Sequence, residues 1–160
     1  MARTKAKSSA RRARRPTGRR TATKATGTAR RQTKLRQRFV VSHHREEDFE
    51  GGLRRYAKYR DLGIAQATNG MVQAHVIRFV PPCRPEEVSK RHYHDVDFQM
   101  VYVLKGWIKT ELDGQGAIVM RAGSAWIQPP RIEHVVLDYS DDCEVLEVIL
   151  PADFATVELE

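Results

Sequence analysis

The sequence of 160 residues has only two cysteines, Cys83 and Cys143, and no apolar run that approaches the roughly 20 residues needed to span a membrane. Two cysteines exclude a small secreted scaffold held by several disulfides, and free thiols are expected. The absence of a long apolar run predicts a protein without a membrane segment. A cytoplasmic protein with room for one domain of ordinary size is therefore the first expectation.

Acidic residues are missing from positions 1–38, which contain 15 of the 28 lysines and arginines and no aromatic residue. Residues 39–160 contain the other 13 bases and all 20 acids, a net charge of −7. Because the tail has almost no apolar surface to bury, residues 1–38 are predicted to be disordered. Three interpretations of this tail are open: a dispensable extension, weak non-specific polyanion contact, and a mitochondrial targeting segment.

From about residue 70 the sequence consists of short β-rich runs that are separated by turn residues. The runs lie at 71–80, 99–104, 107–112, 117–120, 125–128, 134–139 and 144–150. Seven or so strands at roughly ten-residue spacing, without intervening helices, predict an antiparallel sandwich or barrel. Residues 39–69 are interpreted as a linker with N-terminal elements, including a short helix within 46–60, and residues 70–160 as the β-domain.

Three histidines are placed where they can form a metal site. His92 and His94 are two residues apart, which puts both imidazoles on one face of a strand. Gln99 has the wrong parity for the same unbroken strand and is expected on the next one. His134 follows about forty residues later, after several turns, and is expected to complete the site from across the barrel. Three nitrogens and one oxygen suit a divalent transition metal, whereas the alternative is an ordinary pair of strand histidines.

The spacing of these residues resembles the first sequence motif of the cupin superfamily. That motif runs Gly, five residues, His-x-His, three or four residues, Glu, six residues, Gly. This sequence reads His92-Tyr93-His94, four residues, Gln99, six residues, Gly106. Glu86 stands where the motif opens with Gly, and Gln99 stands in place of Glu. A neutral glutamine ligand would leave a bound metal with its full charge of about +2, which favours an anionic ligand.

The second cupin motif is also similar to a stretch of this chain. It runs Gly, five residues, Pro-x-Gly, two residues, His, three residues, Asn, and this sequence reads Gly123, five residues, Pro129-Pro130-Arg131, two residues, His134, three residues, Asp138. The resemblance covers roughly residues 70–152. It implies an all-β, single cupin jelly-roll (double-stranded β-helix) barrel of the small type-2 kind. It also implies one Fe, Mn, Ni or Zn ion held by His92, His94, Gln99 and His134.

Two classes of function are consistent with this resemblance. The first is a metalloenzyme with dioxygenase-, isomerase- or lyase-type chemistry on a small anionic, oxygen-rich substrate, and small sugar-acid cupins and three-histidine cupin dioxygenases are the similar types. The second is a non-catalytic, metal-dependent small-ligand binding or sensor module. Arg78 and Tyr102 are candidate substrate-binding residues. A homodimer is expected from the resemblance, because cupins commonly pair through edge strands.

Overall fold

Two antiparallel sheets pack against each other, and the alternating apolar residues of their strands form the core between them. The computed structural model describes residues 37–52, 54–88 and 90–159. The prediction of disorder for residues 1–38 therefore lies almost wholly outside the described residues. No helix in the described ranges is long and apolar enough to cross a membrane.

The first sheet has six strands, numbered here in chain order. Across the sheet they are β1 (Glu50–Gly51), β2 (Ala57–Asp61), β3 (Gln73–Phe79), β10 (Glu144–Leu150), β5 (Phe98–Lys105) and β8 (Ala125–Ile127). Strand β10 therefore lies at the centre, paired with β3 on one side and with β5 on the other.

The second sheet has five strands. Across the sheet they are β11 (Ala155–Glu158), β4 (His92–Asp95), β9 (His134–Tyr139), β6 (Trp107–Leu112) and β7 (Gly116–Arg121). The helical content is small: a 3-10 turn at Glu46–Asp48 and the one-turn helices α1 (Ile64–Ala67) and α2 (Pro85–Val88).

This arrangement confirms the cupin jelly roll but corrects the expected barrel. In the described part of the chain no strand ladder joins the two sheets, so the fold is a two-sheet sandwich and not a closed cylinder. The physical reason lies at the edges. Strands β1 and β8 have only two and three residues, too few to continue the hydrogen-bonded ladder into the other sheet.

All seven β-rich runs of the sequence form strands, whereas the predicted helix is absent from the described residues of 46–60. That stretch contains the 3-10 turn and strands β1 and β2. Strand β2 pairs with β3, with Tyr59 opposite Ile77, and this pairing overrides the local helical spacing of the apolar residues. Residues 39–69 therefore add two strands to the six-stranded sheet.

Side-chain parity along β5 separates the core from the outer face. Val101 and Val103 are buried, with Val103 completely inaccessible, while Tyr102 and Leu104 between and beyond them are 38% and 44% exposed. This alternation is what a strand with one covered face requires. Strand β5 therefore presents its odd-numbered side chains, including Gln99, to the interior.

Two residues in tight turns next to the core, Arg131 and Gly106, have a left-handed backbone conformation. Arg131 has a left-handed backbone (φ 60°) where the second cupin motif has glycine, and its guanidinium donates to Asp95 Oδ1 and Oδ2 at 2.9 and 3.2 Å. The Arg131 N–H also donates to the His94 carbonyl at 3.1 Å, which ties this loop to the end of β4. At Gly106 (φ 66°) a Cβ would lie 2.1 Å from Ser140 Oγ, so only glycine fits.

Candidate metal centre

Strand pairing brings the three predicted histidines together. His92 and His94 alternate along β4 on one face, and His134 on the neighbouring strand β9 lies directly opposite His92. The three imidazoles can each offer one ligand atom, and these atoms lie within 4.8 Å of one another. His134 therefore reaches the group from the adjacent strand of the same sheet and not from across the sandwich.

Each of the three imidazoles has its Nδ1 atom occupied by a neighbour. The contacts are His92 Nδ1 with the Lys90 carbonyl at 3.0 Å, His134 Nδ1 with the Ile132 carbonyl at 2.9 Å, and His94 Nδ1 with Thr156 Oγ1 at 2.9 Å. A carbonyl only accepts, so Nδ1 carries the proton in the first two. In His92 and His134 the Nε2 atom therefore has a lone pair that can bind a metal, an arrangement typical of metal-ligating histidines.

Burial keeps these imidazoles neutral. It lowers the pKa of His92 below its usual value, and it lowers the pKa values of His94 and His134 to about 4. The neighbouring imidazoles add to this lowering, since each disfavours a second positive charge nearby. Metal binding requires unprotonated imidazole. The donor set therefore fits a divalent transition metal at neutral pH.

Gln128 contacts this histidine group. Its Oε1 accepts from the Trp126 indole N–H at 3.1 Å, which orients the amide so that Nε2 donates to His134 Nε2 at 3.2 Å. The contact agrees with an unprotonated His134 Nε2. Sequence reasoning did not single out Gln128, although it lies beside the Pro129-Pro130 turn of the second motif.

A half-buried carboxylate lies on the other sheet. Glu147, on β10, accepts from His75 Nε2 at 2.7 Å and from Gln99 Nε2 at 2.6 Å. His75 is its register partner on β3, and Gln99 is a diagonal neighbour on β5. Burial raises the pKa of Glu147, but the hydrogen bond and charge of His75 and the amide of Gln99 outweigh it, so the net pKa is lowered. Glu147 is therefore ionised at neutral pH.

Gln99 lies where the parity argument places it, on β5 and 2% exposed. Its amide nitrogen is used by Glu147, which leaves the carbonyl Oε1 as the atom able to act as a ligand. Among the described residues Gln99 does not line the cavity that holds the histidines, whereas Glu147 and Gln128 do.

The two predicted substrate residues lie away from this cavity. Arg78 is three residues from His75 and so faces the other side of β3, where it donates to Glu46 and Glu144 at 2.6 Å and stacks 3.8 Å above the Phe49 ring. The hydrogen bond from Arg78 is the main cause that lowers the pKa of Glu46 to about 2. Tyr102, three residues from Gln99, lies on the outer face of β5 and is 38% exposed. The structure brings neither residue to the histidines.

A cavity of about 1050 Å³ lies between the sheets and contains the three histidines. Its walls include Glu147 and His75 from the six-stranded sheet and Thr156 from β11. Arg54, from the turn before β2, also lines it. This volume is ample for a small molecule together with an ion.

Four residues of this site were missed from the sequence: Arg54, Gln128, Glu147 and Thr156. Glu147 had a usable signal, because it alternates with the buried Val145 and Ile149 and an acid at an inward position is unusual. Arg54 belongs to a turn and Thr156 to a short edge strand, so neither has a periodic pattern that indicates its direction.

Comparison with known proteins agrees with this architecture. A family model described as "Cupin domain" matches residues 83–149. The structure is similar to KdgF from Halomonas sp. (19% identity, TM-score 0.54, covering 69% of this chain and 94% of that one). It is also similar to the polyketide cyclase RemF from Streptomyces resistomycificus (17% identity, TM-score 0.58, covering 75% and 86%).

A third similar structure is oxalate decarboxylase from Lactobacillus farciminis (15% identity, TM-score 0.55). The match covers 71% of this chain and 34% of the decarboxylase chain. No curated protein matches the sequence. At these identities the similarity establishes the fold.

Proposed function

We propose that this chain, a member of the cupin superfamily through its domain at residues 83–149, binds one divalent transition metal and acts as an enzyme on a small anionic substrate. The observation that carries the proposal is the group of three neutral imidazoles in a cavity large enough for a small molecule. An ion at this group would supply Lewis-acid chemistry or bind substrate and dioxygen together.

The ligands of this ion are His92, His94 and His134 through Nε2, and Gln99 through Oε1 as the fourth. Support for Gln99 comes from its burial and from the hydrogen bond to Glu147, which commits only its nitrogen. Four neutral ligands leave the ion its full charge, and such a centre attracts an anionic substrate strongly. Fe, Mn, Ni and Zn all suit a ligand set of imidazoles and one carbonyl oxygen.

Glu147 is the proposed proton acceptor for a substrate in the cavity. It is ionised, it lines the cavity, and His75 Nε2 and Gln99 Nε2 hold its two oxygens in place. A carboxylate oriented in this way is suited to take a proton from an acidic C–H or O–H group of the substrate. This role fits isomerase-, lyase- and dioxygenase-type reactions, all of which the proposal includes.

The names of two similar structures, a polyketide cyclase and an oxalate decarboxylase, support an enzyme over a passive module. The test is metal analysis of the full-length protein purified without added metal, followed by turnover assays. Small hydroxy acids, keto acids and uronates are supplied to protein loaded with Fe²⁺, Mn²⁺, Ni²⁺ or Zn²⁺. Dioxygen uptake or product formation that is lost in His134→Ala is the expected result.

Tight metal and ligand binding without turnover on any of these substrates would contradict the enzyme and indicate the non-catalytic binding module. Absence of metal binding would contradict both. Gln99→Ala is the informative partial variant. It should weaken metal binding less than His134→Ala, because water can occupy the position of a neutral oxygen ligand.

Three broader expectations stay predictions. The homodimer has support from apolar side chains on the outer face of β5 and β8, where Phe98, Tyr102, Leu104 and Ile127 are each at least 36% exposed. Light scattering that gives a monomer mass would remove it. Polyanion contact through residues 1–38 predicts a DNA mobility shift that disappears as salt rises. A cytoplasmic location is the third.

A further inference from the structure

Arg54 has one end of its guanidinium group unused at the wall of the histidine cavity. The main-chain carbonyl of Arg54 accepts a hydrogen bond from the Ala57 N–H at 3.2 Å, which closes the turn into β2. The side chain is only 12% exposed and lines the cavity. Its Nη2 atom is buried and has no hydrogen-bond partner among residues 37–52, 54–88 and 90–159.

The other terminal nitrogen fixes the position of the group. Arg54 Nη1 donates to Glu158 Oε1, and Glu158 lies directly opposite His92 in the ladder between β11 and β4. Directly opposed side chains of antiparallel strands lie on one face, with Cβ atoms about 5 Å apart. The guanidinium is therefore held beside His92. In agreement with this position, burial is the main cause that lowers the pKa values of the three histidines, and the charge of Arg54 adds to it.

A second polar atom of the cavity wall also lacks a partner in the described part of the chain. Thr110 Oγ1 is buried and unsatisfied, and Thr110 is 1% exposed. Thr110 lies on β6, two positions from the residue that faces His134 in the β6–β9 ladder. Buried polar atoms in proteins nearly always have a partner. Two such exceptions on one cavity indicate that a polar ligand supplies the missing partners.

We propose that Arg54 Nη2 binds a carboxylate group of the small molecule that occupies this cavity, which is thereby anchored at both the histidine group and the arginine. The assignment rests on the proposed function and specifies its substrate class. Glu158 already offsets part of the guanidinium charge, so a singly charged carboxylate suits this position better than a dianionic phosphate. The ligand class is a small dicarboxylate, or a carboxylate with a second oxygen donor for the metal.

Calorimetry on full-length protein loaded with Co²⁺ tests this assignment. The probes are malonate, succinate and glutarate, which differ in the distance between their carboxylates, with acetate as the single-carboxylate reference. In the wild type at least one dicarboxylate should bind about tenfold or more tightly than acetate, because a charge-assisted hydrogen bond adds to the metal contact. In Arg54→Gln this preference should fall to about twofold or less, because a dicarboxylate loses more affinity than acetate, which the metal can hold alone.

The matched control is Arg55→Gln, which removes the same charge from the exposed neighbouring arginine and should keep the full preference. Arg54→Lys retains the charge but changes the donor geometry, and it should keep only part of the preference. Co²⁺ affinity is measured for every variant. If Arg54→Gln loses its Co²⁺, the comparison of Arg54→Lys with wild type decides the question.

The outcomes separate the two proposals. A dicarboxylate preference that survives both Arg54 variants overturns the Arg54 assignment and leaves the proposed function intact. A wild-type protein that takes up Co²⁺ but binds neither acetate nor any dicarboxylate contradicts the proposed anionic substrate itself. A preference that is lost equally in Arg55→Gln shows a non-specific charge effect and also overturns the assignment.

Discussion

The two sheets give the cavity two unlike walls that use the same residue types for different purposes. On the five-stranded sheet, His92, His94 and His134 are neutral, and the carbonyl partners of His92 and His134 leave the Nε2 atoms of these two unprotonated. On the six-stranded sheet, the Nε2–H group of His75 donates a hydrogen bond to the Glu147 carboxylate. We call these the histidine wall and the carboxylate wall. The hydrogen-bond partner of each imidazole, more than the residue type, decides whether its Nε2 is left free for a metal or donates to a carboxylate.

The glutamines repeat the same contrast. Gln128 donates to an imidazole nitrogen on the histidine wall, and Gln99 donates to a carboxylate on the other. Each side-chain amide nitrogen therefore already donates a hydrogen bond. The carbonyl oxygen of Gln128 also accepts one from Trp126. Gln99 is consequently the better candidate for an oxygen ligand.

The largest expected effect distinguishes the walls directly. His134→Ala should weaken metal binding by at least about 100-fold, because it removes one of three strong nitrogen ligands. His75→Ala, the same substitution on the carboxylate wall, should change metal affinity by no more than about threefold. Competitive titration with a chromophoric chelator measures both. An equal loss of metal affinity in the two variants would contradict the distinction between the two walls.

The second prediction concerns the carboxylate wall alone. Gln99→Glu replaces the donor to Glu147 with a second carboxylate at hydrogen-bond distance, so one of the two must be protonated. The metal-free variant should lose roughly 2–3 kcal/mol of unfolding free energy at pH 7, as urea denaturation would show. The exchanged pair Gln99→Glu with Glu147→Gln should recover most of this loss. No recovery would mean that the two side chains do not form the hydrogen bond described.

The third prediction concerns the support of the histidine wall. Thr156→Val removes the hydroxyl that contacts His94 Nδ1 at 2.9 Å, and metal affinity should fall about 10- to 100-fold. Thr156→Ser keeps the hydroxyl and should remain within about threefold of wild type. The same chelator competition serves here. A Val variant with wild-type affinity would show that His94 is oriented without this contact.

The fourth prediction concerns the pH dependence of the metal-free fold. Burial lowers the pKa values of His94 and His134 from 6.5 to about 4, so the unfolded chain takes up protons at a higher pH than the folded one. Unfolding free energy should therefore decrease as pH falls from about 6.5 towards 4. Between pH 6.5 and about 5 this slope belongs to the histidine wall, because the pKa of Glu147 is lowered from 4.5.

Urea denaturation at several pH values measures that slope. The control is the double variant His94→Asn with His134→Asn, which should show a flatter dependence in the same window. An unchanged slope in the control would assign the effect to groups outside the histidine wall.

The sequence predicted the central strands well because their signal is local. Alternating apolar residues and turn residues mark each of the seven strands, and the cupin motifs connect them. Strands β1, β2 and β11 escaped prediction because short strands are specified mainly by the neighbours with which they pair. Phe49 and Tyr56 are spaced as on one face of a helix, and this spacing led to the wrong prediction of a helix within 46–60. Pairing of β2 with β3 outweighs that local pattern.

For the site, a separation of two residues fixed His92 and His94 on one face, and this geometry holds in the structure. By the same parity rule Tyr102 and Arg78 lie on the outer faces of their strands, since each is three residues from an inward-facing side chain. Arg54 could not be found in this way. It belongs to a turn without periodicity, and its direction depends on Glu158, which is 104 residues away in the chain.

Strand β11 has a consequence for how ligands leave and enter. It has four residues, lies at the edge of its sheet with β4 as its neighbour, supplies Thr156 to the cavity wall, and carries Glu158, which accepts from Arg54. Edge strands open locally at a lower free energy than central ones, and amide hydrogen exchange reports such openings. Occupation of the site must slow exchange in β11, since anything that binds only the closed form stabilises it by mass action. We therefore expect the residence time of a metal bound at the histidine wall to depend on how often this short strand frays.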